Sequence, residues 1–130
     1  MKVIEAPISI GELFDKITIL QIKIEKGFEG AQDELNQLLT VGESLVFPKS
    51  IVCPFIDGLK AINETLWGVE DKKREHERQK CFDEEFIELS RAVYILNDHR
   101  AYLKRMINNY AGSKIKEYKS DAAYSRPTTL

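Results

Sequence analysis

"SRAVYILNDHRAYLKRMINNY", Ser90 to Tyr110, decides how this chain is read. Val93, Leu96, Leu103 and Ile107 return every three or four positions. That is the period of an amphipathic helix, not the two-residue alternation of a strand. Arg100 falls in the middle of the same stripe. Its neighbours three and four positions away are Leu96, Asn97, Leu103 and Lys104, none of them an acid. A guanidinium cannot stay unpaired in an apolar interior, because its desolvation costs several kcal/mol. Three outcomes are open. Arg100 snorkels outward along its stem. It pairs with a carboxylate of another helix, for which Glu12, Asp15, Glu70 and Asp71 are the candidates. Or it faces a cavity that receives an anion, with Asn97 and Lys104 beside it, since the planar fork suits carboxylate or phosphate.

Outward from this stretch, Phe86 and Leu89 continue the stripe, Asp83 is placed to cap the helix, and Gly112 ends it. A second apolar side of the same helix holds Ile95, Tyr102, Met106 and Tyr110, with His99 among them. A patch of that length predicts a contact, and a homodimer through helix faces is the expected one. Three further helical segments precede it. The first runs from Ile10 to about Lys26, opened by the capping box Ser9/Glu12 and closed by Gly27 and Gly30. Ile10, Leu13, Ile17, Leu20 and Ile24 make its core stripe, while Ile19 and Ile22 point to another side with Asp15. A helix apolar on two sides is either central or touches a second subunit. The second spans about Gln32 to Leu45. The third is expected from Pro54 to about Arg78, because proline suits a first helical turn. Its core stripe is Phe55, Leu59, Ile62, Leu66 and Val69. Beside it runs a second row, Ile56, Asn63, Trp67, Glu70 and Arg74, which either lines a pocket or forms a solvated shoulder with a Glu70–Arg74 pair of small value.

No alternating run appears, so the expected fold is all-α. It is a three- to four-helix bundle with a short N-terminal arm, one domain over residues 1–118, and a polar tail over 119–130 that is flexible or held by a partner.

The 130 residues carry a net charge of −2 with no long basic run, which disfavours a nucleic-acid footprint. No apolar stretch approaches the roughly 20 residues that span a bilayer. Two separate cysteines and no signal peptide point to the cytoplasm. Cys53 and Cys81 lack metal-ligand spacing, so no zinc site, metal or cofactor is expected. His76 and His99 read as solvated or structural. Common catalytic motifs are absent. Glu85 and Glu88, with Glu70, Asp71 and Glu75, could hold a hard cation only if four carboxylates converge.

The segments "ISIGELFDKITILQIKIEK", "INETLWGVEDKKRE" and "FIELSRAVYILNDHRAYLKRMIN", in this order, resemble a small bacterial family known only as a domain of unknown function. The resemblance covers about Ile8 to Lys119 and implies a short, all-helical cytoplasmic protein with no assigned activity. Its recognisable positions here are Gly11, Glu12, Asp15, Lys16, Asn63, Trp67, Glu70, Asp71, Arg91, Tyr94, Asn97, Asp98, Arg100 and Lys104. They suggest a polar cluster between the first, third and fourth helices. "DKITIL" is also similar, over one helix, to the chorismate mutases, which bind a dicarboxylate with arginines and a lysine.

The leading expectation is a non-enzymatic, dimeric interaction or scaffold protein with a possible protein partner. The competing one is an enzyme or binding protein for a small phosphate or dicarboxylate metabolite, held among Asp15, Lys16, Asn63, Trp67, Glu70, Asn97, Arg100 and Lys104. A cavity with two or more unpaired cations favours the second. Arg100 paired with Asp15 or Glu70, without a cavity, favours the first.

Overall fold

The structure, a computed structural model, describes residues 2–117. It is an all-α bundle of four helices: α1 Ile10–Glu25, α2 Gln32–Glu43, α3 Lys49–Gln79 and α4 Glu84–Ala111, with one 3₁₀ turn at Glu29–Ala31. Residues 2–8 form an exposed arm without regular structure. The tail expected over 119–130 lies outside the described residues.

The helix ends follow local chemistry. Ser9 caps α1 by accepting from the Glu12 amide at 3.0 Å. Glu12 does not complete the reciprocal capping box; its carboxylate goes to Lys104 instead. Gly27 closes α1 at φ +92°, and the amides of Gly27 and Phe28 bond the carbonyls of Ile24 and Lys23. Asp83 caps α4 through the Phe86 amide, and Gly112 ends it at φ +74°. The start of α3 differs from the sequence expectation. The helix begins at Lys49, so Pro54 lies inside it rather than at its head. Pro48 supplies the first acceptor, and the early turn buries Val52 completely. The acceptor that Pro54 leaves without a donor belongs to Ser50, which is exposed and open to water.

Two apolar clusters form the core. Leu13, Ile17 and Leu20 of α1 pack with Leu35 of α2, while Val52 and Leu59 of α3 pack with Leu103 and Ile107 of α4. Phe14 touches both and meets Phe47 edge-on at 5.8 Å. Helix α1 is therefore central, with α2 on one side and the α3–α4 pair on the other. That explains its two apolar sides without a second subunit.

The α3–α4 hairpin outreaches the rest, since 31 residues rise about 46 Å and the 16 of α1 only about 24 Å. Between residues 64 and 97 no side chain is fully buried. The expected core positions Leu66, Val69, Phe86, Leu89, Val93 and Leu96 are thus only half-buried, because two helices alone cannot enclose a stripe.

The opening turn of α1 abuts the closing turns of α4. The Ile10 amide donates to Ser113 Oγ at 3.1 Å and the Gly11 amide to Asn108 Oδ1 at 2.6 Å. Amides that every helix start leaves without partners are thereby satisfied from the far end of the chain. A Cβ at Gly11 would stand 2.6 Å from the Lys104 carbonyl oxygen and 2.9 Å from Asn108 Oδ1. Backbone cannot rotate aside, so Gly11→Ala must push the two helices apart. The expected cost is about 1–3 kcal/mol, with the loss of midpoint read by urea unfolding.

Candidate functional site

The site begins with one carboxylate. Asp15 lies on α1 between the two apolar sides, and only 1% of its surface is exposed. Arg100 crosses from α4 and grips it with both prongs: Nε donates to Oδ1 at 2.8 Å and Nη2 donates to Oδ2. Asn63 of α3 donates to Asp15 Oδ1 and to Thr18 Oγ1, each at 3.0 Å. Thr18 in turn donates to the Asp15 carbonyl at 2.9 Å. One network therefore ties three helices. Burial pushes the Asp15 carboxyl up, but the hydrogen bonds from Arg100 and Asn63 and the Arg100 charge outweigh it. The carboxyl ends below its ordinary value of 3.8. Its partner shifts the complementary way: the bonds to Asp15 hold the Arg100 guanidinium more firmly protonated.

The pair does not fill its surroundings. The Arg100 side chain keeps 30% exposure and borders a cleft of about 440 Å³ between α1, α3 and α4. Ile19, Ile22, Leu66 and Trp67 supply its apolar wall. Its polar lining is Lys23, Asn63, Glu70, Asp71, Arg74, Asn97 and Arg100. Arg100 Nη1 reaches Asn97 Oδ1 at 3.3 Å, a long bond. Lys23 and Arg74 have no carboxylate within ion-pair distance among the described residues, and the anticipated Glu70–Arg74 pair does not form. Trp67 leans on Phe28 at 6.0 Å and, with Lys23, also walls a neighbouring hollow beside Phe28 and Glu34.

The sequence candidates divide. Asn63, Trp67, Glu70, Asn97 and Arg100 meet in the cleft. Asp15 lies beneath Arg100 and does not line it. Lys16 is exposed and elsewhere. Lys104 belongs to a separate cluster, donating to Glu12 Oε2 at 2.7 Å and Glu117 Oε2 at 2.9 Å. Burial lowers its ammonium pKa, but those two carboxylates raise it further, so it is charged and engaged. Lys23 was missed, and Asp71, considered only as an acid for Arg100 or for a cation, also lines the cleft. Lys23 could have been found, since it follows Ile19 by one helical turn. Glu70, Asp71, Glu75, Glu85 and Glu88 do not converge as a ligand group among the described residues; His76, Cys81 and Asp83 bring donor atoms within 4.8 Å of one another.

Fold and site together define a small helical bundle with a charged, tryptophan-walled cleft beside a buried ion pair. The chain belongs to the family of unknown function DUF6165, which it matches over residues 1–129. Comparison with curated proteins and with solved structures gives no match. No helix of the described residues is long and apolar enough to cross a membrane.

Removing Arg100 would strand a carboxylate in the interior. Arg100→Leu is expected to cost about 3–5 kcal/mol, and Asp15→Leu/Arg100→Leu less than that, in urea unfolding. A carboxyl with a depressed folded pKa stabilises fully above its unfolded value, and that contribution is lost as pH falls through the folded value. Acid unfolding should therefore steepen below pH 3.8 in wild type, and Asp15→Asn should flatten this limb.

Proposed function

We propose that the protein binds a small anionic metabolite in the α1–α3–α4 cleft. The observation that carries this is the pair of cations, Lys23 and Arg74, lining a tryptophan-walled cleft without ion-pair partners among the described residues. Arg100 alone would not suffice, because Asp15 takes both its prongs. Lys23, Arg74 and the remaining Arg100 Nη1 can receive a phosphate or carboxylate. Asn63 and Asn97 can orient it, and Trp67, Ile19 and Leu66 can cover an apolar portion. Glu70 and Asp71 make the rim mixed in charge, which favours an anion that also carries a hydrogen-bond donor.

The reading is one of binding. Asp15 is ionised and already accepts from Arg100 and Asn63, so it is a positioning group and a poor proton acceptor. The described lining contains no serine, cysteine or histidine to act as a nucleophile or imidazole base. Two free thiols suit a reducing compartment, so we place the protein in the cytoplasm.

Thermal unfolding with a panel of phosphorylated and dicarboxylate metabolites tests the site. A ligand at 100 times its Kd stabilises the native state by about 2.7 kcal/mol and raises Tm. Lys23→Met/Arg74→Met, altering two surface-reaching side chains, should keep the fold and abolish the shift. A panel that leaves wild type unmoved, or a shift that survives the double variant, would sink the reading.

A second reading rests on the projecting hairpin, which exposes 53% of Phe82, 43% of Ile87, 56% of Tyr94 and 46% of Ile95. Such a face suits a homodimer or a protein partner. Sedimentation equilibrium should show a dimer that Tyr94→Glu/Ile95→Glu dissolves; a wild-type monomer at high concentration contradicts it.

A further inference from the structure

The turn between α3 and α4, just past the cleft residue Arg74, assembles a second kind of chemistry. Lys80 takes the left-handed conformation at φ 52°, and the Cys81 amide donates back to the His76 carbonyl at 3.0 Å. The chain therefore doubles over and sets Cys81 and Asp83 against the last turn of α3. The His76 imidazole has Nδ1 2.8 Å from the Cys81 carbonyl and 3.5 Å from Asp83 Oδ1, with Nε2 3.5 Å from Glu85 Oε1. Cys81 Sγ lies 3.5 Å from Asp83 Oδ2. One donor atom each from His76, Cys81 and Asp83 stands within 4.8 Å of the other two. Bonds of about 2.0–2.3 Å from a tetrahedral Zn²⁺ separate its ligands by roughly 3.3–3.8 Å, so small side-chain adjustments close the set.

The donors are already oriented. Asp83 Oδ1 caps α4 at the Phe86 amide, which turns Oδ2 toward the sulfur. His76 keeps only 14% side-chain exposure beside the Phe86 ring at 5.9 Å. Phe86 also packs edge-on against Phe82 at 5.1 Å. The imidazole is thus confined between an aromatic wall and three acceptors.

We propose that this turn is a binding site for a borderline-soft divalent cation, best matched by Zn²⁺, with His76, Cys81 and Asp83 as ligands and Glu85 beside the fourth position. The donor set decides the class of cation. Mixed nitrogen, sulfur and oxygen ligands suit Zn²⁺ and its neighbours, whereas Ca²⁺ and Mg²⁺ require oxygens alone. On ligation the Cys81 thiol releases its proton to solvent and the sulfur binds as thiolate. Three protein ligands leave the fourth position for water. The effect of the ion on the fold is to pin the tip of the projecting hairpin, independently of the cleft.

The test uses the full chain in reduced form, with Co²⁺ as a spectroscopic probe and Zn²⁺ measured against a chromophoric chelator. Near-equimolar Co²⁺ should give a thiolate-to-metal charge-transfer band in the near ultraviolet, which Zn²⁺ bleaches. Cys53→Ser should keep the band and Cys81→Ser should abolish it. His76→Gln and Asp83→Asn should each weaken Zn²⁺ binding by at least about tenfold. Asparagine is itself a good N-cap, so Asp83→Asn removes a ligand while retaining the helix start. Absence of the band in wild type, or undiminished Zn²⁺ affinity in Cys81→Ser, overturns the proposal.

Discussion

A carboxylate with almost no access to water organises this bundle. Asp15 is tolerable in the interior only because Arg100 reaches from α4 and Asn63 from α3 to satisfy its oxygens. Paired burial of this kind gives little net stability, since desolvation consumes most of the Coulombic gain. Its consequence is geometric. Sliding α1 or α4 by one turn would leave a charge buried without a partner, and sliding α3 would strand the buried Asn63 amide. The apolar stripes alone would tolerate such a slip far better, because leucine and isoleucine contacts are not directional.

The same directional demand appears at the start of α1. There the approach to α4 is so close that only a glycine fits at position 11, and Asn108 and Ser113 take up the amides. Lys104 bridges the two helices above that contact through Glu12. Helix α1 is thus held along its length by polar contacts to α4 on one side and by leucine packing to α2 on the other. The cleft arises because Arg100 turns inward toward Asp15, leaving space between Trp67, Ile19 and Leu66 that no side chain occupies.

Beyond the cleft the architecture changes character. The distal hairpin has two helices and no third layer, so its stripe is half-covered. Its turn carries His76, Cys81 and Asp83, and the aromatic shell of Phe82 and Phe86 is local to the tip. The molecule accordingly has a rigid end built around α1 and a slender end built around one turn.

The helices themselves were legible in the sequence because their period and caps are local. The Ser9 and Asp83 caps, the Gly27 and Gly112 ends, and the α3 row Asn63–Trp67–Glu70–Arg74 follow from spacing alone. Spacing also raised the question of Arg100 and named Asp15 among the answers. The start of α3 was misplaced, because proline is also tolerated one turn further in when burying Val52 rewards an earlier helix. Which acid Arg100 would choose, that Lys104 would turn away from the cleft, and that Lys23 would enter it all depend on how three helices are rotated about their axes. His76 and Cys81 likewise meet only after the chain reverses through Lys80. Hydrophobic period determines which residues form a helix face. The distance between charges on different helices is set only once those faces are packed together, and that is a property of the tertiary structure.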